Sequence, residues 1–245
     1  MILSALLFAA VAAATPLERF PWETDSAISE EIRREWVLPD RVIDERADDW
    51  RPEFERRFRP IVKDAKTATE AVQKINAVIW DELDVHYSTE RDIANQSPFH
   101  SMRIHKASCT GMTILQVCAY RAVGIPARLV GCNWTTQPGN HSWPEFYDAG
   151  VWHHFGDGDP SPIDKSWVDP FAAQADASRP ETRIYASRAT PNAERTVFWK
   201  TWAPEGGPSD VWADDVTESY RKYRREGVTK DDIPRDTNYV HPDNR

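Results

Sequence analysis

The stretch CTGMTILQVCAYRAVGIPARLVGCNW, residues 109–134, decides the fold. Met112, Leu115, Cys118, Ala119 and Ala122 recur at helical spacing, and the helix is expected to end at Gly124, with Pro126 just beyond it. From Ala127 to Trp134 the pattern is that of a buried strand. After Pro138-Gly139, the run HSWPEFYD (141–148) alternates, Asp148-Ala149-Gly150 is a turn signal, and VWHHFGD (151–157) returns as a second strand. Pro144 has no N–H for the ladder, so it requires an outward-facing position or a bulge. A helix followed by an antiparallel hairpin implies an α+β fold, with the helix packed on the sheet.

Upstream, the chain reads helical. Asp25 is placed to cap a segment running to Trp36, and Pro52 suits the first turn of a helix carrying Phe54, Phe58 and Ile61 on one face. Thr67-Ala68-Thr69-Glu70 has the form of a capping box, followed by a core stripe of Val72, Ile75, Ile79 and Leu83. Residues 86–108 show no consistent period and are expected to form a long surface connection. Downstream, 184–186 and 196–202 look like short strands. Asp214 to Glu226 looks like a helix, with acids at its start, basic residues near its end and Gly227 after it.

The 245 residues suffice for a real core, and 40% hydrophobic content with 11 Trp excludes general disorder. A net charge of −9 without a long Lys/Arg run argues against a nucleic-acid binder or a polybasic membrane-surface protein. Ile2 to Ala14 is uncharged and almost wholly apolar, but shorter than the about 20 residues a membrane span needs. Its Ala12-Ala13-Ala14 end suits signal-peptidase cleavage, so a secreted or periplasmic protein without stable membrane insertion is expected. Three cysteines, Cys109, Cys118 and Cys132, leave at least one thiol unpaired, and their spacings match no zinc module. A disulfide between Cys118 and Cys132 would leave Cys109 free.

Cys109 opens the expected helix, where unpaired amides and the macrodipole favour a thiolate. Such a nucleophile needs a base and a group that orients the base. His141 opens the following hairpin. If Asp148–Gly150 forms the loop, Tyr147 pairs with Val151 and His141 faces Asp157; wider registers place it opposite Gly158 or Asp159. In each register a carboxylate lies within one residue of the imidazole, suited to fixing its tautomer.

The order Cys on a helix, His on a strand, Asp on the next resembles the transglutaminase-like superfamily. Ser108-Cys109-Thr110-Gly111 with Ala122-Val123-Gly124-Ile125-Pro126-Ala127-Arg128 is similar to that family's cysteine helix and following strand. Asn140-His141-Ser142-Trp143-Pro144-Glu145 resembles its H-x-W-x-E strand, and Asp159-Pro160 its terminal Asp-Pro. The resemblance runs over roughly residues 48–170. It implies a transglutaminase-like (papain-like) core with Cys109 as nucleophile, His141 as base and Asp159 as orienting acid, Asp157 being the alternative. Gln96 is a candidate oxyanion donor, since tetrahedral intermediates need fixed donors. The domain order would be a signal at 1–14, a helical lead-in at 15–65, the catalytic core at 66–170 and a C-terminal extension at 171–245 packed on the core. The implied activity is acyl transfer at an amide of a protein or peptide substrate, hydrolysis being favoured, with no metal or organic cofactor required.

Two rivals stand beside it. A metal site would use His153, His154, Asp157 and Asp159, although adjacent strand residues point to opposite faces. A catalytically inactive module would bind peptide or glycan through Trp134, Trp143 and Trp152.

Overall fold

The computed structural model describes residues 19–135, 138–155, 162–191, 197–199 and 208–224. The apolar run 2–14 and the candidate acids Asp157 and Asp159 lie outside these residues. In chain order the elements are α1 (Glu30–Trp36), α2 (Arg51–Val62), α3 (Ala68–Asn76), α4 (Ile79–Leu83), β1 (His86–Tyr87), α5 (Pro98–Ile104), β2 (Lys106–Ala107) and α6 (Cys109–Ala122). Then follow β3 (Ala127–Asn133), β4 (Asn140–Asp148), β5 (Val151–His154), α7 (Asp169–Ala172), β6 (Tyr185–Ser187), β7 (Val197–Trp199), β8 (Pro208–Asp215) and α8 (Thr217–Tyr220). Among the described residues six strands form one antiparallel sheet in the order β5-β4-β3-β6-β8-β7. The fold is α+β.

Helix α6 is central. Every residue from Thr110 to Ala122 is buried, because α2 and α3 cover one side and the sheet the other. A helix buried on all sides needs this sandwiching, and the one-sided stripe read from sequence was only part of its buried surface. On α2, Phe54, Phe58 and Val62 stack every fourth residue against it. Thr67 caps α3 by accepting from Glu70 N (3.1 Å). The helix then breaks at Ala77-Val78 and restarts as α4, yet Val72, Ile75, Ile79 and Leu83 all remain in one core. The opposite sheet face carries a second cluster that includes Val130, Cys132, Trp143, Val168, Ala172 and Tyr220.

Two buried or half-buried arginines tie the lead-in to the end of α6. Arg121 donates to the carbonyls of Ala127, Pro39 and Arg41, and Arg51 to those of Val37 and Arg121. Ser29, not Asp25, caps α1, accepting from Ile32 N (3.2 Å); Asp25 instead closes a local turn with Ala27 N (2.8 Å).

Several expectations are corrected. The segment 86–108 is not a plain loop, since α5 and the parallel pair β1–β2 lie within it. The β4–β5 hairpin turns in two residues, Ala149 and Gly150, both with positive φ (48° and 88°), so Asp148 pairs with Val151 and the register is one residue wider than a three-residue loop gives. The Pro144 carbonyl accepts from Phe155 N (3.4 Å), so its missing N–H faces the end of β5, where the described pairing stops at His154. The helix expected over Asp214 to Glu226 starts later: Asp214 and Asp215 end strand β8, and α8 with the 3-10 turn Arg221–Tyr223 makes the helical part. None of the three cysteines forms a disulfide. Cys118 packs in the α6 core and Cys132 in the cluster across the sheet, so β3 separates the two thiols.

Candidate active site

Cys109 is the first residue of α6 and is half-buried, whereas Cys118 and Cys132 are buried. Its position is fixed by what precedes it. Strand β2 pairs in parallel with β1, Ser88 N donates to the Ala107 carbonyl (2.8 Å), and Gln96 Nε2 donates to the Lys106 carbonyl (2.9 Å). Gly111 then lets the first turn sit against this strand: a Cβ there would lie 2.9 Å from the Ala107 Cβ. Ser108 occupies the N-cap position but does not cap. Its hydroxyl accepts instead from Arg91 Nε (2.9 Å), and Arg91 also donates to the Thr89 carbonyl (3.2 Å). The first turn of α6 therefore keeps its amides clear of a side-chain cap, with a half-buried guanidinium one residue from the thiol.

His141 is the second residue of β4, 7% exposed and paired across the sheet with Cys132. Its imidazole is held among aromatic rings: Trp134 at 6.0 Å and Trp143 at 6.2 Å, both nearly parallel to it, and Trp167 at 4.8 Å. One hydrogen bond joins helix and strand here. Thr110 Oγ1 lies 3.3 Å from Ser142 Oγ, linking the residue after Cys109 to the residue after His141. The start of α6 and the start of β4 are thus neighbours, with Ser142 turned to α6 and His141, beside Cys132 and Trp143, on the other face of the strand. Asp159 and Asp157 lie outside the described residues. Gln96 is wholly buried, with its amide nitrogen engaged by Lys106 and its Oε1 unpartnered; it acts in this structure as an anchor of the cysteine's lead-in.

The face of β4 that carries His141 also carries Trp143 and Glu145, two residues apart each. Glu145 Oε2 accepts from Arg128 Nε (2.7 Å) and pairs with its Nη2 (2.6 Å). Tyr220 donates to Glu145 Oε1 (2.7 Å) and accepts from Trp143 Nε1 (2.7 Å). Burial, aided by the Glu145 carboxylate, pushes the Tyr220 phenol well above its ordinary pKa, so it stays a donor. Sequence reasoning missed Tyr220; no motif connects it to a strand 75 residues earlier.

Trp152 lies flat beneath Arg128, 3.8 Å from its guanidinium carbon, and packs edge-on against Trp36. Trp143 is fully buried. Of the three tryptophans in the binding-module reading, Trp134 is half-buried beside His141, and Trp167 rather than Trp143 or Trp152 is its half-buried companion.

The adjacent His153 and His154 turn to carboxylates. His153 Nδ1 is 2.8 Å from Asp164 Oδ2, His154 Nδ1 is 3.3 Å from Asp164 Oδ1, and His154 Nε2 is 2.7 Å from Asp169 Oδ1. Burial by itself would expel the proton from His154. The bonds to Asp164 and Asp169 outweigh it and raise the pKa to about 9, so the ring is an imidazolium at neutral pH. Asp164 is correspondingly held well below the usual carboxylate range by the two histidines, against its own burial. Among the described residues no group of three or more His, Cys, Asp or Glu is arranged to hold a metal ion.

Residues 56–156 match the family model of the transglutaminase-like superfamily core. Among solved structures, the chain is similar to a proposed cysteine protease from Cytophaga hutchinsonii (19% identity, 57% of this chain and 49% of that chain, TM-score 0.39). It is also similar to a protein described as a TGase (16%, 48% and 34%, 0.34) and to a proposed protease from Parabacteroides distasonis (10%, 58% and 28%, 0.37). The chain thus spans about half the length of the first of these, or less for the others. No curated protein matches.

Proposed function

We propose that this protein is a cysteine-dependent acyl-transfer enzyme acting on amide bonds of a protein or peptide, a reading supported by the match of residues 56–156 to the transglutaminase-like superfamily model. The Cys109 thiolate attacks the amide carbonyl, and the oxyanion is met by the uncapped first-turn amides of α6. The His141 imidazolium gives its proton to the departing amine as the C–N bond breaks, leaving a thioester on Cys109. His141 then takes a proton from water, which adds to the thioester and releases the acid and the thiolate. Asp159, or Asp157 in its place, orients the imidazole. Hydrolysis is preferred over transfer to an amine because water is in excess in the exported setting to which Ile2–Ala14 points.

The observation that supports this most is the Thr110–Ser142 bond, which joins the neighbours of a half-buried thiol and an imidazole. A second reading is favoured by the half-buried Trp134 and Trp167 at His141: a transglutaminase-like module that binds peptide or glycan without catalysis. Cleavage of a peptide-amide library separates them. The enzyme reading expects turnover by the wild type and none by Cys109→Ala. A library bound equally by both and cleaved by neither establishes the binding module.

A further inference from the structure

We propose that His154 is a positioning residue that clamps the 164–169 segment and through it holds Trp167 against His141, an inference that rests on His141 being the working base. The segment is tied at both ends. Asp164 spans the two histidines with its two carboxylate oxygens, its own N donates to the His154 carbonyl (3.1 Å), and Oδ1 accepts from His154 N (3.1 Å). Asp164 adopts a positive φ of 56°, an uncommon conformation for a side-chain-bearing residue that these bonds hold in place. At the other end Asp169 divides its oxygens between His154 Nε2 (2.7 Å) and Ser166 N (2.8 Å).

Between the two aspartates stand Trp167 and Val168. Val168 is buried in the cluster with Trp143. Trp167 reaches His141 at 4.8 Å and packs against Trp134 and Phe171 at 6.3 and 6.0 Å. One imidazolium thus sets the ring that walls one side of the candidate base. The groups facing His154 are Asp164, Asp169, Glu145 and the rings of Tyr220 and Tyr223. The negative ones favour its charged form. Nothing in positions 153–154 alone signals this: the partners follow 10 and 15 residues later, and the sequence points at nearer acids instead.

The test is histidine NMR of the intact chain, with the fold checked by circular dichroism. The Trp167 ring current displaces the His141 resonances, and Trp167→Leu gives the value without it. His154→Asn is expected to move the His141 resonances to that same value. Asp164→Asn, at a more exposed position, gives a second route should His154→Asn not fold. Folded clamp variants in which His141 keeps its wild-type resonances, while Trp167→Leu moves them, overturn the proposal. In parallel, the pH profile of Cys109 alkylation by iodoacetamide is expected to fall by ~10-fold at pH 6 in the clamp variants, as displaced catalytic groups lose rate. A wild-type Cys109 no faster than a free thiol refutes the base role of His141, while the NMR outcome still decides the clamp.

Discussion

Replacing Tyr220 by Phe removes a single oxygen that does two things. It donates to Glu145 Oε1 and accepts from Trp143 Nε1, each at 2.7 Å, among residues at most 5% exposed. A hydrogen bond to a charged group contributes about 1.5–3 kcal/mol, and an indole N–H left buried and unpaired costs about 1–3 kcal/mol. Glu145 keeps its pairing with Arg128, which limits the damage on that side. The expected loss is therefore about 3–4 kcal/mol, a large part of the about 5–15 kcal/mol that holds a typical domain together. Urea unfolding of the wild type, Tyr220→Phe, Trp143→Phe and the double variant gives the cycle. Trp143→Phe is expected to be partly redundant with Tyr220→Phe, with a coupling of about 1 kcal/mol or more. A Tyr220→Phe variant within about 0.5 kcal/mol of wild type would refute the network.

Other perturbations have definite signs. The His154 pKa is raised from 6.5 to about 9 in the folded protein, so its stabilisation is fully present below pH 6.5 and is lost as pH rises through 9. A shift of that size corresponds to roughly 3 kcal/mol, and thermal melts between pH 6 and 10 should show a fall that His154→Asn flattens. Gly124→Ala places a side chain at φ +78° with its Cβ 2.4 Å from Glu23 Cγ; a loss of about 1–2 kcal/mol or more in urea unfolding is expected. Arg121→Met removes four donations to the Ala127, Pro39 and Arg41 carbonyls and is expected to cost about 3 kcal/mol or more, read by the same method. An unchanged midpoint would show that the lead-in is held by other contacts.

The central helix and the strands after it were legible because their apolar spacing, Gly124 and Pro126 all agree with the final structure. The register was not, since Asp148-Ala149-Gly150 permits both a two- and a three-residue loop and only the backbone angles choose between them. Asp214 and Asp215 were read into the following helix because acids before a basic cluster imitate a helix dipole. In the structure Asp214 instead faces Arg188 and Arg128 from a strand. Cysteine counting suggested a bridge between Cys118 and Cys132, but the two-residue period of β3 turns Cys132, with Val130, away from α6. The places of the candidates Cys109 and His141 at the starts of α6 and β4 were readable from the sequence. Tyr220, Asp164, Asp169 and Arg91 were not, because each reaches its partner across a fold that no local pattern encodes.

The most direct measurement is the second-order rate of Cys109 alkylation by iodoacetamide at pH 6 in the wild type and in His141→Ala. A thiolate held by the start of α6 and paired with His141 should react much faster than free cysteine, whose thiol is almost wholly protonated at that pH, and His141→Ala should abolish most of the difference. A wild-type rate equal to that of free cysteine, or one indifferent to His141→Ala, would contradict the account.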